Sequence, residues 1–245
     1  MVSLRAHLAG KSEMNIQNPI YRWKKRLVRI LILASCWQTA RAADTDSLLA
    51  NWFATQTNLQ AWSADFVQTR TLKSLVQPLT STGHVWFATP NRFRWELGQP
   101  PQTIAVRNAD EMLVIYPPMK RAEHYPLRGK LPAQWRDSLA LLDAGLPRSQ
   151  SDMDKQFEIL AELVLNDTCQ IIVQPKSSSA RKLIPQMRIT FDTRTFLLRS
   201  TELQFADGST MKNEFSNATV NVALDETLFS LAIDTDFKIT EPLKK

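Results

Sequence analysis

Residues 83–118 read GHVWFATPNRFRWELGQPPQTIAVRNADEMLVIYPP, and this stretch decides the fold. Phe93, Trp95 and Leu97 alternate with charged side chains, and a period of two is typical of a strand with one buried face. Proline-containing segments interrupt the pattern at intervals that favour tight turns. The stretch therefore predicts four short antiparallel strands, over residues 83–88, 92–97, 103–106 and 112–116.

Similar alternation recurs along the rest of the chain, as far as residues 237–239. Two segments instead have the period of a helix. One is capped by Asp46 or Ser47, and the other covers Leu131–Ala144. The sequence therefore predicts an α+β fold: an unclosed, strongly curved antiparallel β-barrel of about 10–11 strands, with helices as a lid.

The first 42 residues have the features of a secretory signal peptide. A basic segment precedes the mostly apolar Leu27–Trp37, and Ala40-Arg41-Ala42 is a typical cleavage site. The apolar run is shorter than the roughly 20 residues that span a bilayer. We therefore expect export to the periplasm and cleavage after Ala42, with Met14 as an alternative start. The mature protein is then a single domain over residues 43–245.

Leu33-Ala34-Ser35-Cys36 allows an alternative, because it is also similar to a bacterial lipobox with Cys36 as the lipidated residue. The protein would then be an outer-membrane-anchored lipoprotein acceptor. The site at Ala42 leaves a better-proportioned apolar core, so it favours soluble export. Cleavage there leaves Cys169 without an intramolecular disulfide partner, and its apolar surroundings in the sequence indicate a buried thiol.

The net charge of +6 comes from the leader. Residues 1–42 hold eight Lys and Arg and one acid, so residues 43–245 hold 22 basic and 23 acidic side chains. A nearly neutral mature protein does not have the basic surface that nucleic-acid binding requires. Its two histidines, His84 and His124, have no metal-ligand spacing, and no catalytic or phosphate-binding motif is present. The sequence predicts no metal, no cofactor and no enzyme.

Aromatic side chains are concentrated on the predicted strands of the first half of the mature chain. Such residues form the core of any sheet that buries one face. Two helices are nevertheless a small cover for so many strands, and an uncovered apolar concavity is a site for an apolar ligand. The pattern alone leaves both interpretations open.

Five short motifs follow one another along the chain: FVQT at 66–69, GHVW at 83–86, PNRFRW at 90–95, QP at 99–100 and Tyr116-x-Pro118. In order and spacing they resemble the periplasmic outer-membrane lipoprotein carrier family, LolA. The family implies an unclosed barrel whose hydrophobic cavity carries the acyl chains of lipoproteins across the periplasm. It thereby implies an inner-membrane exporter as donor and an outer-membrane receptor as acceptor. We expect a monomer.

Strand alternation then assigns the lining of the expected cavity. From the strands we expect Phe66, Trp86, Phe93, Trp95, Ile104, Val106, Met112 and Val114, and from the lid Leu139 and Leu142.

One position departs from the family. The family has an arginine immediately before P-N-x-F-x-W, which implies hydrogen bonds from barrel to lid, and this chain has Thr89 there. A threonine hydroxyl offers one donor on a short side chain, whereas a guanidinium offers five on a long one. We therefore expect this chain to share the fold of the family more closely than its cargo. The expected cargo is a lipoprotein or another acylated molecule.

Overall fold

The computed structural model describes residues 47–128, 147 and 149–242, which all belong to one compact unit over Thr45–Lys245. Several predicted features lie outside the described residues: the signal peptide with Met14 and Cys36, and the helix at Leu131–Ala144 with Leu139 and Leu142. In the part of the chain that is described, no helix is both long and apolar enough to cross a membrane.

Twelve strands form one sheet. They are β1 (Ala61–Thr71), β2 (Leu79–Ala88), β3 (Arg92–Leu97), β4 (Thr103–Arg107), β5 (Glu111–Tyr116), β6 (Arg121–Pro126), β7 (Phe157–Leu165), β8 (Thr168–Pro175), β9 (Gln186–Asp192), β10 (Leu198–Gln204), β11 (Thr210–Val220) and β12 (Lys238–Thr240). The four strands predicted within residues 83–118 are all present, and β3 has the predicted bounds.

Across the sheet the strands follow the order β12-β6-β5-β4-β3-β2-β1-β11-β10-β9-β8-β7. Neighbouring strands are antiparallel except β12 and β6, which run parallel. In the described ranges no pairing joins the edge strands β12 and β7, so the sheet is not closed. The predicted α+β class and the unclosed antiparallel sheet are confirmed, with twelve strands rather than ten or eleven.

Three α-helices are described. The first, α1, covers residues 47–57, as the apolar stripe predicts. Neither α2 (Gln150–Gln156) nor α3 (Ser178–Leu183) was predicted, because each is too short to show a periodic stripe. Serine caps begin both: the hydroxyls of Ser149 and Ser177 accept hydrogen bonds from backbone N–H groups in the first turn.

The main core lies between α1 and the face of the sheet that we call the inner face. Trp52 of α1 stacks on Phe191 of β9, with ring centroids 4.9 Å apart and an interplanar angle of 3°. Leu49 and Phe53 join the same buried cluster. Helix α1 therefore covers the inner face where β8, β9 and the adjoining strands meet it.

Cys169 lies in this core and is fully buried, as its sequence context indicates. Burial, with a smaller contribution from Glu162, raises the pKa of the Cys169 thiol to about 11. The side chain is therefore an uncharged, small apolar group in the folded protein.

Candidate functional site

Strand registers align the inner-face side chains in rows that run across the sheet. Paired residues of neighbouring strands share a face, so the pairings can be followed from β1 to β6. One row is Ala64, Val85, Trp95, Ala105, Val114 and Glu123. A second row is Trp62, Phe87, Phe93, Arg107, Met112 and Tyr125.

Of the predicted lining residues, Phe66 lies in the filled part of the inner face. Its side chain is 1% exposed, and its ring centroid is 4.0 Å from that of Trp95. Phe215 of β11 packs against both rings edge-on. The glycine of the GHVW motif makes this possible, because a Cβ at Gly83 would overlap the ring of Phe66. Phe66 is therefore part of the main core.

Phe93, Trp95, Met112 and Val114 share the inner face with Phe66. Met112 is buried, whereas Phe93, Trp95 and Val114 are partly exposed. Between Trp95 and Val114 the row has only the small side chain of Ala105, also partly exposed. These strands thus present an apolar surface that is less completely filled than the core beneath α1.

Three predicted lining residues, Trp86, Ile104 and Val106, lie on the opposite, outer face. Leu97 pairs with Thr103 at the β3–β4 turn, and this register places the even-numbered residues of β4 beside Arg94 and Glu96. Alternation gives each strand two faces but does not say which one is inner, and Ile104 and Val106 are the more apolar side of β4. This more apolar side lies on the outer face and is buried there, since Val106 has no exposed surface.

The C-terminal part of the chain packs on this outer face. The 3-10 turn Glu226–Phe229 lies over β3, where the Arg92 guanidinium is 5.1 Å from the centre of the Phe229 ring. Arg94 donates a hydrogen bond to the backbone oxygen of Leu228. The outer face of β3 is therefore covered by the C-terminal part of the chain and is not available as a ligand surface. The two predicted lid residues, Leu139 and Leu142, lie outside the described residues.

Thr89 stands where the family arginine would be, and its contacts are local. Its hydroxyl donates to the side-chain oxygen of Gln60 at 2.9 Å, and its backbone N–H donates to the Gln60 carbonyl at 2.9 Å. Gln60 belongs to the connection between α1 and β1. Thr89 therefore joins the β2–β3 turn to the α1–β1 connection by hydrogen bonds.

The inner face becomes polar at β6, a feature that the sequence analysis missed. Arg121, Glu123 and Tyr125 are in register with Tyr116, Val114 and Met112, so all three side chains share the inner face. The signal was present in the sequence, since polar or aromatic side chains occupy every second position of this strand. The sequence analysis assigned none of these side chains to the inner face, since such alternation usually indicates a solvent-facing side.

The histidines lie on the outer face and are each bound to a carboxylate. His84 Nδ1 is 2.7 Å from Asp65, and His124 Nε2 is 2.6 Å from Glu111. Asn217 also donates a hydrogen bond to Asp65, and this bond with that of His84 lowers the Asp65 pKa. Among the described residues, no three potential ligands cluster in a way that could hold a metal ion.

The fold and the inner face define an open antiparallel sheet protein with an apolar inner surface that one helix partly covers. The chain belongs to the LolA family: the family model "Outer membrane lipoprotein carrier protein LolA" matches residues 57–232. The resemblance stated from the motifs is thereby confirmed. A comparison with curated protein sequences found no match.

Solved structures that resemble this one differ widely from it in sequence. A LolA superfamily protein of Nitrosomonas europaea is 8% identical, with 74% of this chain and 97% of that chain covered and a TM-score of 0.39. The MucA/MucB complex of Pseudomonas aeruginosa is 15% identical, with 80% and 63% covered and a TM-score of 0.42. Mycobacterium tuberculosis lipoprotein LppX is 11% identical, with 74% and 98% covered and a TM-score of 0.37. We draw no functional conclusion from similarities this low.

Proposed function

We propose that this protein is a periplasmic carrier that binds the acyl chains of lipoproteins or related molecules on its inner face and moves them from the inner to the outer membrane. The observation that carries the proposal is the partly exposed apolar surface of β3–β5, on a chain that the LolA family model matches over residues 57–232. The protein has no catalytic role in this proposal.

The proposed binding surface consists of Phe93, Trp95, Ala105 and Val114, with the buried Met112 next to Val114 on the same face of β5. Burial of one methylene is worth about 0.8 kcal/mol, so a fully buried C16 chain approaches roughly 13 kcal/mol before ordering costs. An acyl chain bound with a free energy of that size dissociates slowly unless another molecule or a conformational change assists its release. Loading therefore calls for an inner-membrane donor, and release calls for an outer-membrane acceptor or a cover that favours the empty state.

The test is binding of a fluorescent fatty-acyl probe to the purified protein and to Phe93→Glu. A carboxylate on the apolar inner face must be desolvated or must distort the surface, so acyl affinity should fall at least about tenfold. The matched control is Val67→Glu, because Val67 is 38% exposed on the outer face of β1.

Equal affinity of the wild type and Phe93→Glu would contradict the proposal. Unfolding of Phe93→Glu would show instead that Phe93 is core, and Val114→Asp then repeats the test two strands away. Circular dichroism and thermal unfolding of each variant separate loss of binding from loss of fold.

The alternative is an anchored acceptor of the same fold, and the Leu33–Cys36 sequence favours it. The intact mass of the protein purified from a bacterial envelope distinguishes the two. A chain that begins at Ala43 supports the carrier, and a diacylated Cys36 as the first residue supports the acceptor.

A further inference from the structure

The polar edge of the inner face, formed by Tyr116, Arg121, Glu123 and Tyr125, is joined by hydrogen bonds and an ion pair among these side chains. Glu123 Oε2 accepts a hydrogen bond from the Tyr125 hydroxyl at 2.8 Å and a longer one from the Tyr116 hydroxyl at 3.5 Å. Arg121 Nη2 lies 3.5 Å from the other oxygen of Glu123. The Glu123 carboxylate therefore accepts hydrogen bonds from both hydroxyls and forms an ion pair with the Arg121 guanidinium.

The contacts of Arg121 hold its guanidinium in place but do not occupy all of its hydrogen-bond donors. Its guanidinium lies over the Tyr116 ring, 4.5 Å from the ring centre, and stacking of this kind orients the planar group. Its Nε is buried and has no hydrogen-bond partner, although 42% of the side chain is exposed. A guanidinium has five donors, so Arg121 retains donors that can reach a ligand.

The charge on this part of the inner face is positive. Lys238 of β12 is in register with Arg121 and is exposed, and Arg107 lies on the same face between Phe93 and Met112. Glu123 is the one carboxylate that the strand pairings of β4–β6 and β12 place on this face. Arg121 and Lys238, beside one carboxylate that already accepts hydrogen bonds, favour a negatively charged partner.

The polar edge adjoins the apolar surface directly. Glu123 pairs with Val114, Val114 with Ala105, and Ala105 with Trp95. At about 4.8 Å between neighbouring strands, roughly 14 Å of apolar surface extends from β6 to β3. An amphiphile could therefore place its chain along this row and its headgroup at β6.

We propose that Arg121, with Lys238 beside it, binds the anionic headgroup, a phosphate or a carboxylate, of the amphiphile whose acyl chain lies on the inner face. Tyr116 and Glu123 position the Arg121 guanidinium for this contact. The inference rests on the proposed acyl-binding function and adds the chemical class of the headgroup to it.

The experiment is displacement of a fluorescent acyl probe by three ligands with the same palmitoyl chain: palmitate, palmitoyl lysophosphatidic acid and the neutral monopalmitoylglycerol. The wild type should bind at least one of the anionic ligands about tenfold more tightly than the neutral one. Arg121→Gln should remove most of that preference and leave the affinity for the neutral ligand unchanged. A preference between the phosphate and the carboxylate then identifies the headgroup.

Arg188→Gln is the matched control. Arg188 is also paired with a strand glutamate, at 2.8 Å from Glu202, but lies on the outer face of β9. Its replacement should change none of the three affinities. Lys238→Gln should lower the affinity for the anionic ligands by a smaller factor than Arg121→Gln does.

The outcomes separate this proposal from the function on which it rests. If none of the three ligands displaces the probe and the probe itself does not bind, the proposed function fails. If all three bind equally to the wild type, or Arg121→Gln keeps the full preference, the headgroup site is overturned and the acyl-binding function stands.

A measurement on the wild type covers the case in which Arg121→Gln does not fold. Raising the salt concentration from about 50 to 500 mM should weaken the anionic ligands several-fold and leave the neutral ligand nearly unaffected, because salt screens a partly exposed charge pair. The same salt response for all three ligands would overturn the site.

Discussion

The ring of Phe66 occupies the space above Gly83, on the neighbouring strand β2, where any other residue would place its Cβ. The backbone oxygen of Glu96 closes the same space from β3. This contact lets Phe66 reach Trp95 across β2, with ring centroids 4.0 Å apart. It links the core beneath α1 to the apolar surface proposed for the ligand.

Gly83→Ala should destabilise the protein by about 1–3 kcal/mol, because the added methyl forces Phe66 or the β3 backbone to move. Urea unfolding of the variant measures the loss. Thr82→Ala is the control, since Thr82 is the exposed neighbour on the same strand and should change stability by less than about 0.5 kcal/mol. A Gly83→Ala variant as stable as the wild type would show that Phe66 repacks freely.

Ala105→Leu should weaken acyl-probe binding by about tenfold or more and leave the free energy of unfolding nearly unchanged. The larger side chain would fill the inner-face position between Trp95 and Val114, where the proposed ligand chain lies. Probe titration with a parallel thermal melt tests it, with Ala54→Leu on the exposed side of α1 as control. Unaltered binding by Ala105→Leu would place the acyl chain elsewhere.

Asp192 should make the stability of the protein fall in acid. Its side chain accepts hydrogen bonds from Arg199 at 2.7 Å and from the backbone N–H groups of Thr195 and Arg194. The Arg199 guanidinium, then these N–H groups, hold the pKa of Asp192 well below its ordinary value near 3.8. The lowered pKa in the folded state means that the stabilisation is complete above about pH 4 and is lost as the pH falls further.

Asp192→Asn should accordingly cost about 2–3 kcal/mol at pH 7, where the charged hydrogen bonds are intact. The difference from the wild type should shrink as the pH is lowered below 4. Urea unfolding at a series of pH values measures both. Asp167→Asn is the control, because Asp167 pairs with Arg194 at the exposed surface and should matter little at any pH.

Thr89→Arg tests whether the departure from the family arginine changes the rate at which a ligand enters. The arginine should replace the Thr89–Gln60 hydrogen bond by donors that reach further, because a guanidinium offers five donors on a long side chain. We expect slower association of the acyl probe, measured by stopped-flow fluorescence beside the wild type. Thr89→Val, which only removes the hydroxyl, is the control. Equal association rates for all three proteins would mean that other contacts govern ligand entry.

The face assignments show where sequence reasoning succeeded and where it stopped. Alternation located β3 with its observed bounds and correctly grouped Phe93 with Trp95. It could not decide which side of β4 is inner, because the more apolar side of this strand, with Ile104 and Val106, is the outer one. The register of the β3–β4 turn decides this, and register depends on which residues pair rather than on composition.

What the sequence determined by itself is the class of the fold and the family, because strand alternation, turn residues and five spaced motifs are local features of the chain. Only the tertiary structure revealed that Phe66 belongs to a filled core, that Trp86, Ile104 and Val106 face outward, and that Arg121, Glu123 and Tyr125 gather on the inner face. The reason is physical: a side chain's face depends on its pairing partners across the sheet, and its burial depends on what packs above that face.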